Sequence, residues 1–176
     1  VPLEKPSKIV IAVIGMDNGG KTSLLSALEG KFGTSPNPSV GFRCVKLQLS
    51  KDTKVEFFDL GGGKKIRSMW KNYYNDIHGV LYLVDSSEEE RWDECSELFK
   101  STCSEKKVKG KPMLLLANKN DCANARSAET VNEALQLAGV PNCKLWSCNT
   151  QGDALDSNVE SGLEWLFQCV ITQYPT

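Results

Sequence analysis

The chain is poor in the residues from which metal centres are built. It has one histidine, His78, which cannot anchor a metal cluster and reads as a polar residue ahead of a strand. Its seven cysteines (Cys44, Cys95, Cys103, Cys122, Cys143, Cys148 and Cys169) are odd in number and scattered. They lack the paired C-x-x-C spacing of a zinc site and read as free thiols suited to a reducing compartment. Long apolar runs are missing too. The longest span five to eight residues, where a membrane-crossing helix needs about 20, and no signal peptide is visible. Charge of one sign is also lacking: 21 Lys and Arg against 22 Asp and Glu leave a net −1. No overall basic field therefore draws the chain to nucleic acid. There is no internal repeat and no linker that would split the 176 residues. The expected organisation is a flexible lead-in over residues 1–7, carrying two prolines and two charges, followed by a single domain over 8–176 with a hydrophobic core of its own.

What the chain does have is concentrated in one stretch. The apolar run Ile9–Ile14 is followed by Gly15-Met16-Asp17-Asn18-Gly19-Gly20-Lys21-Thr22 and then by Ser23-Leu24-Leu25-Ser26-Ala27-Leu28. This is strand, glycine-rich turn and helix in the G-x-x-x-x-G-K-[ST] spacing of a phosphate-binding loop. Glycines let the backbone wrap close around a polyphosphate with successive N–H groups pointing inward. A helix starting near Lys21 adds unsatisfied N–H groups and the positive end of its dipole. Lys21 would reach the outer phosphates, and the Thr22 hydroxyl would bind Mg²⁺. Gly15, Met16, Asp17, Asn18, Gly19, Gly20, Lys21, Thr22 and Ser23 thus form the expected triphosphate site.

The rest of the chain alternates strands and helices. Strand one is expected over Lys8–Ile14, uniformly apolar as a doubly covered strand should be. The following helix carries Leu24, Leu25 and Leu28 on one side and is expected to end at Gly30. Lys31–Pro38 has turn chemistry without periodicity. Gly41–Ser50 and Lys54–Asp59 alternate apolar and polar residues around Ser50-Lys51-Asp52-Thr53, which suits a hairpin. A short helix is expected over Lys64–Asn75 and a buried strand over Gly79–Val84. Ser87 with Glu90 forms a capping-box pattern ahead of Trp92, Cys95, Leu98 and Phe99. Met113–Ala117 is the next strand, Val131, Leu135 and Ala138 stripe a helix closed by Gly139, and Lys144–Ser147 is a short last strand. Ser157 with Glu160 forms a second capping box before a helix presenting Val159, Leu163, Leu166, Phe167 and Val170. The alternation predicts a mainly parallel sheet covered on both sides, with one antiparallel hairpin.

In open α/β sheets ligands sit outside the carboxyl ends of the strands. Besides the phosphate loop, three stretches lie at such ends. Asp59-Leu60-Gly61-Gly62-Gly63 supplies an acid that would hold Mg²⁺ through water and, in Gly62, a backbone N–H that could sense a γ-phosphate. Asn118-Lys119-Asn120-Asp121 bears on the base. The Asp121 carboxylate can accept from guanine N1–H and N2–H₂, whereas adenine has no N1–H and leaves the acid partly unpaired. That penalty is roughly 3 kcal/mol or more, enough for about a hundredfold preference. The Lys119 stem can lie across the purine, and Asn118 can tie this loop to the phosphate loop. Ser147-Cys148-Asn149 would contribute a backbone N–H, from Cys148 or Asn149, to guanine O6.

Together these residues resemble the small GTPases, and among them the ARF and ARF-like branch. The phosphate loop is close to the branch's G-L-D-N-A-G-K-T. Pro38-Ser39-Val40-Gly41-Phe42 is similar to its P-T-V-G-F first switch. Ile66-Arg67, Trp70, Tyr73 and Val84-Asp85-Ser86 fit its I-R-x-x-W-x-x-Y and V-D-S pattern. The similarity extends over about residues 8–172. It implies an α/β, P-loop small GTPase fold: a six-stranded, mainly parallel sheet with five helices on its two faces. It also implies GTP or GDP with Mg²⁺, two switch segments, and Thr22 and Ser39 as Mg²⁺ ligands in the GTP state. Ser39 stands where the family has Thr and keeps the hydroxyl. Phe42, Phe58 and Tyr73 match the aromatic triad through which ARF-like proteins meet effectors, and Trp70 is expected to be a packing residue of the second switch.

Gly63 departs from the pattern. The family usually has Gln there, orienting the attacking water, and glycine has no side chain for this. The expected result is very slow or absent intrinsic GTP hydrolysis and no assignable catalytic residue. The Leu60–Gly63 and Trp70–Tyr74 stretches look most like the ciliary ARF-like thirteen group, which is associated with cilia and with promoting nucleotide exchange on another ARF-like protein. The leading expectation is a switch that engages partners through its ordered switch segments. The alternatives are a GTP-bound scaffold or exchange factor, or a GTPase activated by a partner; a small P-loop kinase gives Asn118–Asp121 no role. The resemblance implies the cytosol or the cytoplasmic face of membranes, with any anchor outside this chain, and a ciliary setting for the subgroup. The runs Glu88–Arg91 and Glu105–Lys107 are expected to be solvated faces.

Overall fold

Strand β1 (Lys8–Gly15) is buried along all but its first residue, and its side chains divide by parity between two cores. Val10, Ala12 and Ile14 face one, and Ile9, Ile11 and Val13 face the other, as a strand with helices on both sides requires. The structure is a computed structural model that describes residues 6–17, 19–32, 43–61, 63–151 and 155–173. Most of the lead-in, the segment 33–42 and residues 18 and 62 lie outside the described residues, and with them Asn18, Ser39, Phe42 and Gly62.

Six strands, β1, β2 (Arg43–Ser50), β3 (Thr53–Asp59), β4 (Gly79–Asp85), β5 (Met113–Asn118) and β6 (Cys143–Ser147), form a single sheet in the order β2-β3-β1-β4-β5-β6. Only β2 and β3 pair antiparallel; every other neighbouring pair is parallel. Among the described residues four helices cover the sheet: α1 (Lys21–Phe32), α3 (Trp92–Ser104), α4 (Ala128–Ala134) and α5 (Ser157–Thr172), with α2 (Lys64–Arg67) a single turn. α1 and α5 pack Leu24, Leu25, Leu28, Val159, Leu163, Leu166 and Val170 on one face. α3 and α4 pack Trp92, Cys95, Phe99 and Val131 on the other, joined by Leu135 just past the end of α4. The six-stranded, mostly parallel architecture is the expected one.

Local differences from the sequence reading have physical causes. α1 runs through Gly30 to Phe32. A Cβ at Gly30 would meet nothing within 4 Å, and a helical glycine weakens a helix by about 1 kcal/mol without stopping it. The expected helix over Lys64–Asn75 is instead α2 followed by a 3-10 turn at Trp70–Tyr73. The irregular path buries Trp70, whose Nε1–H donates to Gly61 O at 3.0 Å, so its packing role in this segment is met. α4 stops before Gly139. Gln136 takes the left-handed conformation (φ 54°), which buries Leu137 and leaves Ala138 exposed.

Neither capping box forms. The Ser87 N–H and Oγ–H donate to Asp85 Oδ1 at 2.9 and 2.6 Å, and α3 begins after a 3-10 turn at Glu89–Arg91 without a side-chain cap. α5 is capped by Asp156, not Ser157: its Oδ1 accepts from Asn158 N–H at 2.7 Å. A carboxylate is the stronger acceptor for the free N–H groups of a helix start. No described helix is long and apolar enough to cross a membrane.

Candidate functional site

Parallel register brings the motif-bearing strand ends to one edge of the sheet. Val13 lies beside Asp59, Gly15 beside Leu83, Asp85 beside Asn118, and Ala117 beside Ser147. β3 flanks β1 on one side and β4 on the other, so the loop after β1 opens at the point where strand order reverses, the usual ligand crevice of such sheets.

The loop after β1 can be built only with glycine at two positions. Gly20 has φ +96°, and a Cβ there would lie 2.0 Å from Asn118 Nδ2. At Gly15 (φ +148°) a Cβ would approach Leu83 O to 2.6 Å. α1 then starts with Leu24 N–H donating to Gly20 O at 3.0 Å. Lys21 is only 8% exposed, with Nζ 3.4 Å from Met16 O. Burial pushes its ammonium pKa down, while the carboxylates of Asp59 and Asp17 oppose the shift. A cavity of about 280 Å³ lies against Gly19, Gly20, Lys21, Thr22, Ser23 and Lys119. A concave, amide-rich opening with a buried cation fits a polyphosphate.

Asp59 stands at the end of β3. Its Oδ1 is buried and has no hydrogen-bond partner among the described residues. Burial raises its pKa, against the pull of Lys21 and Arg43. A buried, unpaired carboxylate oxygen beside the loop that carries Thr22 suits a hydrated divalent cation, so the donor set fits Mg²⁺.

Asn118 joins the loops. It is 1% exposed; its Nδ2–H groups donate to Gly19 O and Thr150 Oγ1, each at 2.9 Å, and its Oδ1 accepts from Thr150 N–H at 3.0 Å. The Cys148 thiol, buried and pushed up to about 12 by burial, points its Sγ at the same Oδ1 at 3.7 Å. Lys119 has φ 64°, and its Nζ pairs with Asp85 Oδ2 at 2.7 Å. Asp121 is exposed in the turn closed by Cys122 N–H on Lys119 O at 3.1 Å. The Cys148 N–H donates to Ala117 O at 2.9 Å, and the Asn149 N–H donates to Asp156 Oδ2 at 3.0 Å. Phe58 and Tyr73 lie together, ring centroids 6.2 Å apart.

Several residues at the site escaped sequence reasoning. Arg91, on the expected solvated face and partly exposed, also reaches the loop after β1: its Nη2 meets Asp17 Oδ1 at 2.8 Å, and that contact, chiefly, holds the Asp17 carboxyl below its ordinary pKa. Arg67 of α2 stands 3.7 Å from the same oxygen and 3.0 Å from Glu94. Neighbouring charges also partner Glu89 with Arg126 at 2.8 Å and Glu105 with Lys71 at 2.9 Å. Thr150, Asp85 as the partner of Lys119, and Asp156 were likewise missed. For Thr150, Asp85 and Asp156 the available signal was a hydroxyl or carboxylate close to a motif, which sequence alone does not distinguish from an ordinary turn residue.

The fold and this edge define a P-loop protein of the small GTPase type. Residues 3–170 match the model of the Arf family, the ADP-ribosylation factor family. The chain belongs to that family. It is 34% identical to ADP-ribosylation factor-like protein 13B of Chlamydomonas reinhardtii over 95% of its length, but spans only 32% of that relative. It is 29% identical to ADP-ribosylation factor-like protein 2 of Dictyostelium discoideum, covering 97% of this chain and 91% of the relative. Among solved structures it is similar to the Arl6 (BBS3) small GTPase of Trypanosoma brucei with the bound nucleotide analogue GppNp. There the TM-score is 0.81 at 27% identity, over 94% of this chain and 99% of that one.

Proposed function

We propose that the chain is a guanine-nucleotide switch of the ARF-like type that hydrolyses GTP very slowly by itself. The observation that carries this reading is the bond from Asn118 Nδ2 to Gly19 O at 2.9 Å, which joins the loop that would read the base to the loop that would hold the phosphates. Gly15 to Ser23 would surround the phosphates with amides, Lys21 would neutralise their outer charge, and Asp121 would accept from the guanine edge. Thr22, Ser39 and, through water, Asp59 would hold Mg²⁺, which when bound neutralises charge between the outer phosphates. Gly62 would sense the γ-phosphate. Phe42, Phe58 and Tyr73 would meet effectors once the switches are ordered. Work at the cytosol–membrane boundary, in trafficking or at a cilium, is proposed on resemblance to ARF-like relatives.

Gly63 supplies no side chain for the attacking water. Switching would then depend on nucleotide exchange, or on a partner that contributes the missing group. The test is to load the purified protein with GTP and follow conversion to GDP over hours. Nucleotide that stays GTP is the expected result. Steady conversion would mean that another group positions water, and the reading of Gly63 would be wrong.

A further inference from the structure

The loop after β6 offers the purine edge fewer free donors than its sequence suggests. Three successive amides lie there. The Cys148 N–H extends the β5–β6 pairing through Ala117 O at 2.9 Å, and the Thr150 N–H holds Asn118 Oδ1 at 3.0 Å. Breaking either would cost sheet pairing or the Asn118 junction. The Asn149 N–H is held by neither the sheet nor Asn118 but by the carboxylate ahead of α5, Asp156 Oδ2 at 3.0 Å. The other oxygen of that carboxylate, Oδ1, caps α5 through Asn158 N–H at 2.7 Å.

We propose that Asp156 competes with the 6-oxo group of guanine for the Asn149 N–H, and thereby sets how fast guanine nucleotide leaves the site. This inference rests on the guanine-switch reading above. An oxygen of the base and an oxygen of the carboxylate cannot accept the same single proton at full strength, and two electronegative oxygens side by side repel. Arrival of guanine therefore releases Oδ2, while Oδ1 can keep its cap on α5. The empty site is stabilised by a charge-assisted hydrogen bond that the filled site lacks. Nucleotide release is correspondingly favoured. A 6-amino purine would bring a donor to the same carboxylate, so Asp156 also narrows the margin between guanine and adenine nucleotides.

The experiment is release of a fluorescent GDP analogue from wild type, Asp156→Ser, Asp156→Asn and Asn158→Ala, chased with unlabelled GDP in the presence of Mg²⁺. Serine caps helices well but is too short to reach Asn149 while capping. Asparagine keeps the shape and removes the charge. Asn158 clamps the same loop from α5 through its Nδ2–H on Ser147 O at 2.8 Å, without touching the Asn149 N–H. Release is expected to slow about tenfold in Asp156→Ser, less in Asp156→Asn, and to stay within about twofold of wild type in Asn158→Ala. Wild-type release rates in both Asp156 variants, or equal slowing in Asn158→Ala, would overturn the competition and leave the guanine reading standing. Failure of the wild type to retain any guanine nucleotide would overturn both.

Discussion

Single residues carry the sharpest consequences at the two ends of the proposed nucleotide site. A Cβ at Gly63 would meet nothing within 4 Å among the described residues, and Gly63 is not among the glycines with positive φ, so the backbone accepts a residue with a side chain there. Gly63→Gln is therefore expected to fold normally and to raise single-turnover GTP hydrolysis roughly a hundredfold, the scale of correct positioning of a reactant. An unchanged rate would detach slow hydrolysis from this position. Asn118→Ala acts on the other end. It strips the Gly19 carbonyl and the Thr150 amide of their partner in a buried setting. The expected loss is about 2–3 kcal/mol in urea unfolding, together with faster loss of bound nucleotide. Gly20→Ala cannot be accommodated at all without displacing Asn118, which a Cβ would approach to 2.0 Å.

At the scale of elements, β1 is tied to the segment entering β4 by His78. Its N–H donates to Val10 O at 2.7 Å, and its Nδ1 accepts from Val10 N–H at 2.9 Å. The acceptor role requires an unprotonated Nδ1. Burial, with the positive charges of Lys111 and Lys8, holds the His78 pKa below its ordinary 6.5. A depressed pKa in the folded state means that the unfolded chain takes up the proton first. The stabilisation is then complete above about pH 6.5 and is lost as pH falls through the lower folded value. His78→Gln should flatten this part of the pH–stability profile measured by thermal melts between pH 5 and 7.5. An unchanged slope would assign it to other groups. The same scale explains why element ends were the least legible part of the sequence. Gly30 and Gly139 are both plausible helix stops by composition, yet neither stops a helix. Whether a glycine terminates a helix depends on whether the next contact demands a left-handed residue. Burial of Leu137 imposes that demand on Gln136.

For the molecule as a whole, ligand binding should register as stability, because the proposed site is assembled from β1, β3, β5 and the β6–α5 connection and does not exist in the unfolded chain. At a hundred times its dissociation constant, GDP would add about 2.7 kcal/mol, or roughly 5–10 °C in melting temperature for a domain of this size. An adenine nucleotide at the same concentration should add little, and Lys21→Ala should lose most of the GDP effect. Equal shifts with both nucleotides would remove the assigned base preference. The charged chain from Asp17 through Arg91 and Arg67 to Glu94 gives the molecule a direct link between the phosphate loop, α2 and α3.

The amino-acid sequence by itself determined what depends on near neighbours. The strand, turn and helix around Gly15–Thr22 follow from local backbone freedom and local chemistry. The parallel sheet follows from apolar runs short enough for strands alternating with helix-period stripes. The phosphate loop, the acid of Asp59 and the Asn118–Asp121 motif could be read for the same reason: their residue types are demanded at short, fixed spacings. Tertiary structure decided the partnerships between them. Asn118 meets Gly19 across 99 positions of chain and Arg91 meets Asp17 across 74, and no periodicity encodes such a pairing. It arises when parallel register sets the strand ends side by side and burial requires each polar atom there to find a partner. Asp156 illustrates the difference. In sequence it is one more turn residue before a helix, and only the folded chain sets its second oxygen on the amide of Asn149.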